Sequence, residues 1–171
     1  MESREIVFKP VTRENWLQLT KLDVLPEQYD FLAKNSGLYV LAYAAMYPGW
    51  DNFAIYYQDK MVGFFSCHYS IDHKMEVCTI RHFFIDGRYQ GKGIGKAASV
   101  SVMEKIRRIY PMAGEVHIQI NQNNKKAKQK THHIAECNHP IGRTGGWIFF
   151  LFSHDYSSSC STSSFRLPGG R

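Results

Sequence analysis

Between Asp86 and Ala98 the chain reads DGRYQGKGIGKAA, with Gly91, Gly93 and Gly95 at alternate positions and Lys92 and Lys96 among them. Residues of these types at this spacing suit the holding of an anion. Where a strand turns sharply into a helix, the first amides of the helix lack carbonyl partners and carry the positive end of the helix dipole. Glycines remove the Cβ atoms that would keep a phosphate off those amides, and the two lysines add diffuse positive charge. A pyrophosphate is the natural guest. The competing reading is a tight turn and nothing more, but three glycines within five residues, directly ahead of a periodic helix, exceed what a turn requires.

Two common phosphate patterns fail here. The ATPase motif needs a glycine where Gln90 stands and a magnesium-binding hydroxyl where Ala97 follows Lys96. The dinucleotide motif is formally met by Gly93, Gly95 and Ala98, yet the next strand ends at QIN without a ribose-binding acid, and antiparallel strands precede it. What remains is Q/R-x-x-G-x-G/A, present as Gln90, Gly93 and Gly95.

The elements that must position this turn follow from periodicity. EIVFKPV alternates as a first strand, and Thr12 is placed to cap a helix through about Val24, with Trp16, Leu19 and Leu22 on one face. Residues 27–46 read as one or two helices interrupted near Gly37. FAIYYQDKMVGFFSCHYSI is two strands joined by a polar turn at 58–60, and MEVCTIRHFFID is a third, so the middle of the chain is an antiparallel meander. The glycine turn then opens a helix with Ile94, Ala98, Val102, Ile106 and Ile109 in one stripe, closed by Pro111 and followed by the strand EVHIQIN. Strand, helix, strand implies a crossover to a parallel neighbour, and the whole implies a mixed sheet in an α/β domain.

Composition sets the outer bounds. With 171 residues, 44% of them apolar, the chain can bury the core of one domain, and its net charge of +6 favours an anionic partner. Cys67, Cys78, Cys137 and Cys160 show no paired spacing, and His132, His133, Cys137 and His139 fit no standard zinc pattern, so no metal is expected. The N-terminus lacks an apolar signal region and the run from Trp147 to Phe152 is too short to cross a bilayer, which points to a cytoplasmic protein with no membrane partner. KKAKQK reads as a solvated helix face before it reads as a grip on nucleic acid. After Lys128 the periodicity lapses. The division expected is 1–128 as the folded unit and 129–171 as a divergent, partly disordered segment.

On the motif FFIDGRYQGKGIGK the chain resembles the GNAT superfamily of N-acetyltransferases, most closely the spermine/spermidine-acetyltransferase-like bacterial proteins. The resemblance runs from about Glu5 to Lys128. It implies a GNAT-like mixed sheet whose central parallel strands splay apart, with acetyl-CoA entering the gap as co-substrate. The backbone of Phe83, Phe84 and Ile85 would pair with the pantetheine arm, the amides of Gln90, Gly91, Lys92, Gly93, Ile94, Gly95 and Lys96 would take the pyrophosphate, and Asn124 matches the family asparagine near the coenzyme.

Acetyl transfer to an amine needs the amine neutral, a donor for the developing oxyanion, and an acid for the departing thiolate. The family's tyrosine motif for that acid is broken: counting from Ala127, Lys130 and Thr131 stand in the leucine and tyrosine positions. No catalytic residue is therefore assigned; Arg81 and His82, on the strand before the aromatic pair, are the candidates, and both would repel a polycation. The expected function is N-acetyl transfer to a primary amine of a small molecule, polyamine-like or other. The rival is an acetyl-CoA-binding protein with little catalysis. Loss of the closing strands would leave a sheet edge for a partner subunit, hence a possible homodimer.

Overall fold

The structure, a computed structural model, describes residues 5–72, 75–121, 123–125, 127 and 148–153. Apart from 148–153, the C-terminal segment on which disorder and an altered tyrosine motif were expected lies outside the described residues.

Six strands form one sheet in chain order: β1 (Ile6–Pro10), β2 (Asp51–Tyr57), β3 (Lys60–Asp72), β4 (Met75–Ile85), β5 (Glu115–Ile120) and β6 (Ile148–Ser153). β1 to β4 run antiparallel to one another, and β4, β5 and β6 run parallel. The mixed sheet expected from the sequence is therefore present. The β2–β3 hairpin turns at Gln58 and Asp59, both with positive φ, the geometry that matches the twist of the strands it joins. β6 supplies what the sequence did not announce. Its apolar run pairs with β5 from Glu115 opposite Ile148 to Ile120 opposite Ser153, so the β5 edge that argued for a partner subunit is taken by the same chain.

Three helices flank the sheet: α1 (Trp16–Leu19), α2 (Ser36–Met46) and α3 (Ile94–Ile109). α1 is one turn, not the helix to Val24 that the spacing suggested. Leu19 and Leu22 are buried while Trp16 stays 43% exposed, so the apolar face is not continuous. The break in the next region falls at Asn35, whose φ is +58, and not at Gly37. Gly37 sits inside α2, where a Cβ would lie 1.8 Å from the carbonyl oxygen of Leu19; the glycine lets the two segments touch.

The sheet separates two cores. On one face α3 lays Ile94, Ala98, Val102, Met103 and Ile106 against Ile55, Val62, Phe65, Cys67, Cys78, Ile80, Ile85 and Val116. On the other, α1, the turn after it and α2 bring Leu19, Leu22 and Val40 against Ala54, Met61, Phe64 and Phe84. Among the described residues no helix is long and apolar enough to cross a membrane.

Candidate functional site

The glycine turn has the form its sequence predicts. Gly91 and Gly93 have φ of +75° and +79°, and α3 begins directly after Gly93 with no side chain capping it. The first bond of the helix is Ala97 N–H to the Gly93 carbonyl. Among the described residues, no backbone carbonyl accepts from the amides of Gly91 through Lys96, which leaves six consecutive donors at the positive end of a sixteen-residue helix. A Cβ at Gly91 or Gly93 would meet nothing within 4 Å, so the space over these amides is open. Lys92 reaches back, its Nζ 3.0 Å from the Arg88 carbonyl.

What holds the turn is a carboxylate that the sequence reading passed over. Asp86 is 2% exposed and accepts from the Arg88 amide (2.9 Å), Arg88 Nε (2.7 Å), Arg88 Nη2 (2.9 Å) and the Asp23 amide (3.0 Å). Burial alone would raise its pKa; the bonds from Arg88 and Asp23 outweigh that and hold it below the usual carboxylate value. Asp23 in turn accepts from Ser36 N–H and Oγ and from the Tyr29 hydroxyl, each at 3.0 Å, tying the segment before α2 to the same point. Gln90 completes the brace, its Nε2 donating to Gln28 Oε1 and to the Ile85 carbonyl, both at 2.7 Å.

β4 leads into this turn and changes character midway. Its pairing with β5 runs from Val77 opposite Glu115 to Ile80 opposite Ile118 and ends there, while β4 continues to Ile85. The cause lies on the other side. Ser66 is opposite His82 but Cys67 is opposite Ile80, so Arg81 is an extra residue, a bulge that bends β4 away from its parallel neighbour. Beyond it the Asp86 amide donates to the Val62 carbonyl, which in the antiparallel register turns the peptide groups of Phe84 toward β3 and those of Phe83 and Ile85 toward the gap. Of the three residues the resemblance implicated, Phe84 is thus engaged by β3. Phe83 and Ile85 face the gap, and the Ile85 carbonyl already accepts from Gln90.

The bulge also swaps the faces. Before it Cys78 and Ile80 face α3; after it Ile85 faces α3 while Phe84 faces α2. Arg81 and His82 consequently project to the same side, against α2. His82 packs edge-on to Tyr39 and Tyr43, with ring centroids 5.8 and 4.7 Å away, and its Nδ1 lies 3.1 Å from Ser66 Oγ. Burial first, and then the charge of Arg81, lower its pKa to about 4, so the ring is neutral at pH 7. The Arg81 guanidinium sits 4.8 Å from the Tyr43 ring centroid and 5.8 Å from that of Trp50. Tyr47 stacks on Tyr43, and His68 lies against Trp50.

One further pair went unread in the sequence. Glu115 and His117 alternate with Val116 and so share the face opposite α3; both are buried, with His117 Nε2 2.9 Å from Glu115 Oε2. The signal was available in EVH, two polar residues in phase on a strand. Asn124, predicted near the coenzyme, uses Oδ1 to accept from the Ala127 amide at 3.0 Å. Among the described residues no cluster of three or more His, Cys, Asp or Glu side chains could hold a metal ion; His132, His133, Cys137 and His139 lie outside them.

A mixed sheet whose parallel strands part at a bulge, beside a glycine turn rich in unpaired amides, is the arrangement of an acyltransferase. Residues 12–134 match the model of the acetyltransferase (GNAT) family, and the chain belongs to that family. A curated relative, the spermine/spermidine N(1)-acetyltransferase of Bacillus subtilis strain 168, is 28% identical over 123 residues, which cover 70% of this chain and 79% of the relative. The fold is shared with many solved structures. The ribosomal-protein-alanine N-acetyltransferase of Brucella melitensis biovar Abortus 2308 is 11% identical with a TM-score of 0.57, covering 82% of this chain and 96% of that one. Arabidopsis thaliana Naa50, solved with the bisubstrate analogue CoA-Ac-MVNAL, is 22% identical with a TM-score of 0.51, covering 75% and 80%.

Proposed function

We propose that this protein transfers the acetyl group of acetyl-CoA to a primary amine of a small molecule. The observation that carries the reading is the row of six amides from Gly91 to Lys96 without carbonyl partners among the described residues, beside a strand edge whose Phe83 and Ile85 amides face a gap. The residues fit the coenzyme on its own chemistry: a diphosphate wants donors and no acceptors, and an amide-bearing arm wants an unpaired strand. When bound, the coenzyme supplies a thioester; the chain supplies orientation, charge and a path for the proton.

The amine must shed a proton before it attacks. His82 suits this poorly, because burial and Arg81 hold it neutral down to about pH 4 and a group so reluctant to take a proton is a weak base at pH 7. His117 has the partner that His82 lacks, a buried carboxylate 2.9 Å from its Nε2 that orients the ring. We assign it as the proton acceptor, directly or through water, and the Phe83 amide as the donor to the developing negative charge.

Calorimetric titration with CoA, set beside thiol release from acetyl-CoA in the presence of mixed primary amines, tests the proposal. Binding with amine-dependent thiol release supports it. Binding without release favours the second reading, a coenzyme-binding protein with little catalysis, for which Lys130 and Thr131 at the family's leucine and tyrosine positions are the motive. No binding removes both.

A further inference from the structure

Arg81 stands where β4 parts from β5, and its surroundings are unusual for an arginine. It is the bulge residue of β4, so its backbone position is set by the sheet and not by a loop. Its guanidinium lies over Tyr43 and near Trp50, contacts made with the faces of the rings, and among the described residues none of its N–H donors has a hydrogen-bond acceptor. Among the described residues no carboxylate pairs with it: the two ion pairs there are Arg88 with Asp86 and His117 with Glu115. His82, the next residue along the strand and on the same side, is neutral at pH 7 and offers no negative charge.

Two consequences follow. Tyr43 and Trp50 present the kind of aromatic faces that hold an ammonium group, but this chain has seated its own cation on them, and a polyamine approaching the cleft meets a fixed positive charge. A planar guanidinium seated on aromatic rings, its donors without acceptors among the described residues, is the shape that recognises a carboxylate through two parallel bonds. We propose that the acceptor carries a carboxylate beside its amine, and that Arg81 binds this carboxylate, so that the protein selects amino-acid-like amines over polyamines. The inference rests on the acetyl-transfer reading for the word acceptor, but the carboxylate site stands on its own geometry.

Lysine and cadaverine differ only in the carboxylate, which makes them the probes. Their affinities are measured by calorimetry with and without CoA, so the preference is read whether or not the thioester turns over. The wild-type protein is expected to bind lysine about ten- to a hundredfold more tightly than cadaverine, the span that charge-assisted hydrogen bonds of this kind supply. Arg81→Met is expected to erase the preference while sparing cadaverine, and Arg81→Lys to keep part of it. Equal wild-type affinities, no binding of lysine, or an Arg81→Met variant that weakens both probes alike while still binding CoA, overturns the proposal. Because the wild-type comparison decides by itself, a variant that fails to fold does not rescue it. Lysine preference without CoA binding would sink the coenzyme reading and leave this one standing; CoA binding without lysine preference would do the reverse.

Discussion

Replacing single glycines by alanine separates what the backbone needs from what a ligand needs. Gly91 and Gly93 have φ of +75° and +79°, and Gly49, in the turn after α2, has +99°; at all three a Cβ would meet nothing within 4 Å. The cost to folding is then conformational alone, about 1–2 kcal/mol for an L residue in left-handed space. Against a total stability of about 5–15 kcal/mol, each variant stays folded. A methyl group over the amide row, however, stands where the diphosphate is proposed to rest. Displacing one charge-assisted bond there costs about 1.5–3 kcal/mol, so Gly93→Ala and Gly91→Ala should weaken CoA about ten- to a hundredfold. Urea unfolding and CoA calorimetry on the three variants read both quantities. Gly49→Ala should show the folding cost without the binding loss. If Gly49→Ala weakens CoA as much as Gly93→Ala does, or if Gly93→Ala leaves CoA affinity unchanged, the cradle is not where the coenzyme sits.

His82 predicts a pH dependence with a definite sign. Its folded pKa of about 4 lies below the usual 6.5, so stability is fully present above 6.5 and falls as the unfolded chain takes up the proton between 6.5 and 4, by about 3 kcal/mol in the limit; His82→Gln should flatten that slope in urea midpoints. Asp23 and Asp86, both lowered, contribute only to the steeper loss below the carboxylate range. Asp86→Asn, which disrupts the paired Arg88 bonds to a buried carboxylate, should cost about 3 kcal/mol and weaken CoA as the turn loosens, measured on the same two instruments. Gly37→Ala drives a Cβ into the Leu19 carbonyl and should destabilise by at least about 3 kcal/mol, visible as a lowered thermal midpoint; a melt like that of the native chain would contradict the close contact.

The parts of this architecture that the sequence disclosed are those written in neighbouring residues. The hairpin at 58–60, the stripe of α3 and the glycines ahead of it all announce themselves within a few positions, and each appears as expected. The parts it hid join distant residues. Asp86 meets the Asp23 amide across sixty-three positions, and Gln90 meets Gln28 across sixty-two, so no local pattern marks either. The run at β6 read only as too short for a bilayer, since its partner β5 lies well upstream. α1 was overread because Trp16, Leu19 and Leu22 have helical spacing, yet the chain reaches Leu22 through a turn. The bulge was half visible: Cys78 and Ile80 are in phase with each other and out of phase with Ile85, and an inserted Arg81 is what such a slip means.

That one inserted residue has a consequence for how such a protein can diversify. On the proposed reading one strand would serve two clients by different means, offering its peptide groups sideways to the first and its side chains face-on to the second. Peptide groups are the same whatever residue bears them, so substitutions at 81 and 82 can change the second client without touching the first. Removing Arg81 altogether is another matter: the downstream strand would slip by half a period, sending Phe83 into the α2 core and Phe84 toward α3, and both services would be lost in a single codon.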